Sequence, residues 1–490
     1  MRRASGVLGV AILASNAGQI AWLAAGRGAF GPGHFGAVLA AQSLYGLLQM
    51  VLDNGASWEG ARHAAAGTLT TDRRAALIRA RTILAAASAV ATLAVGLVGD
   101  QRMLIASSPF VVALLLFALL NVWEPLGQGR MGPYATLVGG RSLALATVTL
   151  GASALGWHLP LIAPGCVECA VILLAAAVAR QPRPRFSSAE TTPWATIGRV
   201  GTPAVVLQYN LAIGTVLLGI SGRVAAAATL GVTARVVSGL GSIQGAAATA
   251  LFPRLARTPK WRPTDANLAG TGVALTALVA LVGLAATLLG GGLIAAGFLG
   301  RHDAPTRAAL MLGVSGAAGA GITVQLVLIL IALRLERSVF PALGTGAAVV
   351  TAGTIAGTLV AGAEGVTVVA AAFAAGQALT ATMLARACSG RTQIPEWALR
   401  LAALSGCLLV AVAALASFAA ATRAPLAAAL LLAAPSWLAA SRRRSSRPSE
   451  AARRSHGPGE SRPPHDERSR PLRSHRRSKS RPLPARGTAR

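Results

Sequence analysis

VGTPAVVLQYNLAIGTVLLGI, Val200 to Ile220, is followed by Ser221-Gly222-Arg223-Val224 and then by AAAATLGVTARVVSGLGSIQGAAATALFPRLAR, Ala225 to Arg257. Each limb is long enough to cross ~30 Å of hydrocarbon at ~20 residues a crossing, so the stretch predicts a transmembrane hairpin. The limbs are not clean, for they carry Gln208, Asn210, Arg235 and Gln244. At ~1.5 Å per residue, Arg235 lies ~18 Å beyond the turn, near the membrane midplane. A charge at that depth is costly against lipid, so Arg235 is expected to face a wet cavity or a partner.

The rest of the chain extends this pattern. Of 490 residues, 54% are hydrophobic and 12% charged, and apolar runs of membrane-crossing length recur throughout. The runs lie at about 7–25, 35–52, 82–99, 103–122, 133–156 and 159–179, then the opening hairpin. Beyond it they continue at about 268–299, 307–333, 340–361, 364–387, 398–420 and 424–440, which makes about fourteen spans. The run after Met1-Arg2-Arg3 could read as a signal peptide. It is long, contains Asn16 and Gln19 and lacks a small-x-small cleavage site, so an uncleaved first span is expected. A hydrophilic connection, Asp53 to Arg81, carries Arg62, Arg73, Arg74, Arg79 and Arg81.

The formal charge of +29 is not a nucleic-acid signal, because the basic residues sit between apolar spans and in the tail. With the N-terminus inside, cytoplasmic connections hold about twenty Lys/Arg and external ones about six, tail excluded. Both termini are therefore expected to be cytoplasmic, in a multi-pass protein of the cytoplasmic membrane. Ala and Gly dominate while aromatics reach 4%, which suits close helix packing and equally fits a coding bias. Cys166-x-x-Cys169 lies in an apolar run with no second pair nearby. It is read, with Cys388 and Cys407, as reduced packing cysteine.

The hairpin and the chain's first turn resemble the multidrug/oligosaccharidyl-lipid/polysaccharide exporter superfamily, in its polysaccharide flippase branch. The residues concerned are the glycine-led Leu230-Gly231-Val232-Thr233-Ala234-Arg235 running down to Leu251-Phe252-Pro253-Arg254, and Gly31-Pro32-Gly33-His34-Phe35-Gly36. His34-Phe35-Gly36-Ala37 and Thr229-Leu230-Gly231-Val232 each begin the second helix of a half. That spacing suits two lobes related by an axis along the membrane normal, or chance in Ala/Gly-rich sequence.

The expected fold is an all-α polytopic membrane protein of about fourteen transmembrane helices, two six-helix lobes plus two C-terminal helices. Residues 1–180 are assigned to the first lobe, 181–199 to a cytoplasmic linker and 200–387 to the second lobe. Two further helices occupy 388–440 and a disordered basic cytoplasmic tail 441–490. The tail is read either as a positive-inside anchor or as a surface for anionic membrane lipids.

Arg141 and Glu168 fall in neighbouring spans, offset by ~9 Å in depth, which a long arginine could bridge to make a structural ion pair. Arg235 has only Gln208 and Asn210 in its own hairpin. It is read as an anion contact or as an arginine holding carbonyls of a neighbouring helix. Asn16, Gln19, Gln42, Gln49, Gln208, Asn210 and Gln244 fall in the first, second, seventh and eighth spans, which the resemblance places around a central cavity. As a set they suit sugar hydroxyls. Singly, each could be an interhelical hydrogen bond worth ~0.6 kcal/mol.

No Ser/His/Asp grouping, phosphate-binding loop or metal cluster marks the aqueous loops, and Asp100 and Asp303 sit in connections too short for a transferase site. The chain is therefore read as a non-enzyme without cofactor or metal. The resemblance implies translocation of a polyprenyl-pyrophosphate-linked oligosaccharide by alternating access, with polysaccharide synthesis enzymes as candidate partners and no nucleic acid. Two readings stay open beside it. One is a cation-coupled multidrug antiporter, which calls for membrane carboxylates of which Glu168 is the candidate. The other is a non-transporting scaffold of a polysaccharide assembly complex.

Overall fold

The computed structural model describes residues 2–418, apart from 66, 122, 129, 131, 180–190, 193, 237–262, 301–302, 334, 361–363, 390–391 and 393. In chain order the helices are α1 (Arg2–Phe30), α2 (Pro32–Asp53), α3 (Ala56–Ala65), α4 (Thr71–Val98), α5 (Gln101–Leu119), α6 (Trp123–Gly127), α7 (Gly132–Ala154) and α8 (Ala163–Ala179). They continue with α9 (Trp194–Ile220), α10 (Val224–Val236), α11 (Pro263–Ile294), α12 (Ala304–Ala332), α13 (Val339–Leu359), α14 (Glu364–Cys388) and α15 (Glu396–Phe418). Among the described residues there is no strand, and 10 helices are long and apolar enough to cross a membrane. The protein is an all-α, polytopic membrane protein.

Short polar signals set the helix ends. Thr70 accepts a hydrogen bond from the Arg73 amide (3.1 Å) and caps α4. Asp100 and Asp303, noted above as loop acids, do the same for α5 and α12, accepting from the amides of Arg102 (3.1 Å) and Thr306 (2.8 Å). Each satisfies an amide that a helix start leaves orphaned. The Thr70 cap also corrects the sequence reading. Arg73, Arg74, Arg79 and Arg81 are not in a hydrophilic connection but in the first turns of α4, below its apolar run. Two of them can be there because their charge is taken up by partners. Arg74 pairs with Glu124 at 2.5 Å. Arg81, fully buried, donates to the carbonyls of Leu120 (2.7 Å) and Phe117 (2.8 Å) at the end of α5, with Asp53 3.4 Å from its Nε.

Packing falls into two groups. In the first, α1 lies along α7, α2 against α4 and α5, and α8 against α5 and α7. In the second, α12 lies between α11 and α14, α13 packs on α14 and α9, and α15 on α11, α12 and α14. The groups meet mainly along α2 and α9. At one end of the bundle, the turn end, the start of α2 meets the α9–α10 turn so closely that a Cβ on Gly36 would collide with the Val224 carbonyl. At the opposite end Ile197 of α9 joins Ala56, Leu77, Ala80 and Trp123 in one apolar cluster. There the backbone of Gly201 packs directly on Asn54 and Gly55, which hold left-handed φ values of 34° and 83°.

As far as they are described, the thirteen apolar runs up to 420 fall on α1, α2, α4, α5 and α7 to α15; the eighth run is described only to Val236. The run at 424–440, the tail, Leu251-Phe252-Pro253-Arg254 and most of the proposed linker lie outside the described residues.

Candidate substrate site

Helix periodicity puts Gln42, Tyr45 and Gln49 on one side of α2, three and four residues apart. Arg235 of α10 reaches the first of these. Its Nη2 donates to Gln42 Oε1 at 2.7 Å and its Nη1 to the carbonyl of Gly231, one turn back, at 3.1 Å. The guanidinium carbon lies 5.3 Å from the Trp22 ring centroid, a cation–π contact supplied by α1. Arg235, on the second limb of the α9–α10 hairpin, is thus held by one residue of α1 and one of α2.

Seven residues further along α2, about 10 Å at helical rise, Arg141 of α7 reaches Gln49. Arg141 Nη2 donates to Glu168 Oε1 at 2.5 Å and Nη1 to Gln49 Oε1 at 3.4 Å. The Tyr45 hydroxyl donates to the same Glu168 oxygen at 2.7 Å, and Arg141 lies 5.9 Å over the Tyr45 ring. The depth offset read from sequence is bridged by the length of the arginine side chain and by the eight-residue connection between Ala154 and Ala163, which leaves α8 free to shift along α7. The side chains need not lie level to meet. The Glu168 side chain is 5% exposed and that of Arg141 34%. Arg141 is thus contacted from α2 and α8 while part of its side chain stays accessible.

The remaining sequence candidates divide. Asn16 and Gln19 lie half-buried on α1, either side of the point where Gly18 packs on the backbone of Ser142. Gln208 is half-buried, its Nε2 beside Gly46 on α2, so it adjoins the polar side of that helix. Asn210 does not. Two residues make 200° of helix at ~3.6 residues per turn, so Gln208 and Asn210 stand on opposite sides of α9. Asn210 is 3% exposed, and its amide atoms make no hydrogen bond among the described residues. Gln244 lies outside the described residues.

Sequence reasoning passed over Tyr45 and Trp22, whose aromatic character reads as core or interface anchor. It also passed over Gln325 and Gln377, buried at 2% and 0% in α12 and α14. Each is a lone amide in an apolar run, the same signal that picked out Gln208. The described cysteines are all free, and the Cys169 thiol donates to the Pro109 carbonyl at 3.6 Å, a packing contact between α8 and α5. Among the described residues no group of three or more His, Cys, Asp or Glu stands where it could hold a metal ion.

By sequence the chain matches no family profile and no curated protein. By structure it is similar to a lipid II flippase, MurJ, in an inward closed conformation. The TM-score is 0.56 and the identity 11%, over 88% of this chain and 98% of that one. It is also similar to an inward-facing multidrug resistance MATE transporter of the MOP superfamily (TM-score 0.51, 13% identity, 81% and 95% covered). A eukaryotic MATE transporter, AtDTX14, gives a TM-score of 0.52 at 13% identity, with 83% and 98% covered. The chain has the fold that lipid II flippase MurJ shares with the MATE transporters of the MOP superfamily.

Proposed function

We propose that this protein carries a polyprenyl-pyrophosphate-linked oligosaccharide, or a related lipid-linked glycan, across the cytoplasmic membrane for cell-envelope polysaccharide synthesis. The observation that carries the reading is the polar side of α2. There two arginines from two different helices, Arg235 and Arg141, reach Gln42 and Gln49, amides that stand about 10 Å apart along α2 at helical rise. A pyrophosphate needs charge-assisted donors, and a sugar needs amides and hydroxyls that trade hydrogen bonds for those of water. The polyprenyl tail needs neither and stays in lipid, while a polar headgroup crossing the hydrocarbon must have a polar path. The likeness to a lipid II flippase supports this choice of cargo.

Arg235 is the contact for the anionic group, and Gln42, Gln49, Gln208, Asn16 and Gln19 are the contacts for the glycan. Gln244 belongs to the same proposed set. Asn210 is retained as a candidate that would need α9 to turn before reaching the cavity. The two helix groups act as lobes, residues 1–180 and 200–387, that pivot along α2 and α9 to expose the site to one face at a time. Both termini are cytoplasmic, which makes the turn end external and puts α3 and α6 on the cytoplasmic face. The tail holds anionic lipid, and polysaccharide synthesis enzymes deliver or receive the cargo.

A second reading, a cation-coupled multidrug antiporter, is favoured by the two MATE likenesses and by buried Glu168. It is disfavoured by what holds Glu168. Arg141 and Tyr45 both donate to it, so a cationic drug would have to displace an arginine to reach the carboxylate. Reconstituted vesicles loaded with a fluorescent polyprenyl-pyrophosphate oligosaccharide decide between them. Transbilayer movement of the glycan supports the flippase. Uptake of a cationic dye against a proton or sodium gradient, with no glycan movement, supports the antiporter.

A further inference from the structure

Trp22 touches two neighbours of different chemistry. The Arg235 guanidinium covers its ring at 5.3 Å, and its own ring lies 5.6 Å from that of Phe35, tilted by 40°. Trp22 is 2% exposed, and its indole N–H makes no hydrogen bond among the described residues. Its orientation is therefore held by packing and by the guanidinium, not by a polar anchor.

Around it lies one buried apolar cluster. Phe30, Phe35 and Leu39 come from α1 and α2, while Val232 and Leu299 come from α10 and from a π-helical turn, Ala295–Leu299, that ends α11. The cluster joins the two helix groups at the turn end and leaves no slack. Gly36 meets the Val224 carbonyl, and Arg27 Nη1 fills the space that a Cβ on Gly300 would need. Gly300 itself holds a left-handed φ of 59° that closes the π turn. A close-packed apolar cluster beside a polar site bars water from passing, which makes it a seal.

We propose that Trp22 is the positioning residue that couples Arg235 to this seal. While the guanidinium lies on the indole, the ring is pressed against Phe35 and the turn end stays shut. When an anionic group draws Arg235 off the ring, Trp22 loses its cover and the cluster loosens. The coupling rests on the reading of Arg235 as the substrate's anion contact only for what triggers it. The mechanical link is a property of the empty protein.

The test reads the seal without any substrate. Ala228, 7% exposed and within the cluster, is changed to cysteine, and the protein is placed in nanodiscs so that a maleimide reaches both faces. The native cysteines, all free, are first changed to alanine so that only position 228 can report. Ala228→Cys alone should be protected. Adding Gly36→Ala, which forces the two groups apart, should make it reactive. Arg235→Gln and Trp22→Leu should each raise the labelling rate roughly tenfold, from the loss of a desolvated cation–π contact. The double variant should label no faster than the faster single, because both act through one contact. Trp22→Phe, which keeps an aromatic face, should stay near the parent, and Trp22→Met replaces the Leu variant if that does not purify. Labelling of Arg235→Gln at the parent rate, or single effects that multiply in the double variant, overturns the proposal. A failure to move glycan in vesicles would instead contradict the proposed function and leave this result standing.

Discussion

Removing either partner of the Arg141–Glu168 pair should cost stability, but by different amounts. Arg141→Gln strands Glu168, whose side chain is 5% exposed and whose other donor is the Tyr45 hydroxyl. Stranding a buried charge costs about 3–5 kcal/mol. Glu168→Gln strands Arg141, but that side chain is 34% exposed and keeps Gln49, so solvent screening lowers the loss to about 1–2 kcal/mol. Tyr45 can still donate to the new amide oxygen, which limits the loss further. The double variant leaves no unbalanced charge and should recover at least half of the Arg141→Gln deficit. Thermal unfolding in nanodiscs, followed by loss of monodisperse protein, ranks the three. Equal losses for the two single variants, or a double variant as unstable as their sum, would refute the reasoning.

Arg235→Gln should abolish most transport while the protein inserts and purifies as a single species. Arg235→Lys should keep part of it, since lysine retains charge but not the fork that reaches Gln42 and Gly231 together. Flipping measured beside a melting temperature separates this from a structural role, in which both variants lose stability with activity. Arg81→Leu should destabilise by about 2–4 kcal/mol, because two carbonyls at the end of α5 lose their donor in a fully buried place and Asp53 loses its ion-pair partner; unfolding midpoints check it. Deleting 445–490 should leave insertion and yield near normal, since the segment has almost no apolar surface to bury. Cysteines placed at 183, 257 and 470 should resist an impermeant label applied to intact cells.

Span positions are legible because an apolar run in a bilayer has no alternative to a helix, and so 35–52 or 340–361 could be read off directly. Helix starts are less so. The eye stops at charge, whereas α4 runs on through Arg81 because a neighbouring helix end, itself unreadable from local pattern, offers carbonyls to the guanidinium. The Arg141–Glu168 contact is readable because consecutive spans must return antiparallel, which fixes relative depth. The partners of Arg235 are harder, since Gln42 and Arg235 are 193 residues apart in sequence and only tertiary packing brings them together. Gln208 and Asn210 show the limit from the other side. Both are amides in one span, yet helical phase alone sends them to opposite faces.

The most direct test is transbilayer movement of a lipid-linked glycan by the purified protein. Vesicles containing the protein and a fluorescent polyprenyl-pyrophosphate oligosaccharide are exposed to an impermeant quencher before and after a membrane potential or ion gradient is applied. The account predicts protein-dependent loss of the protected fraction, abolished by Arg235→Gln. Movement at the rate of protein-free vesicles under every gradient, from a preparation that is folded and monodisperse, would contradict it.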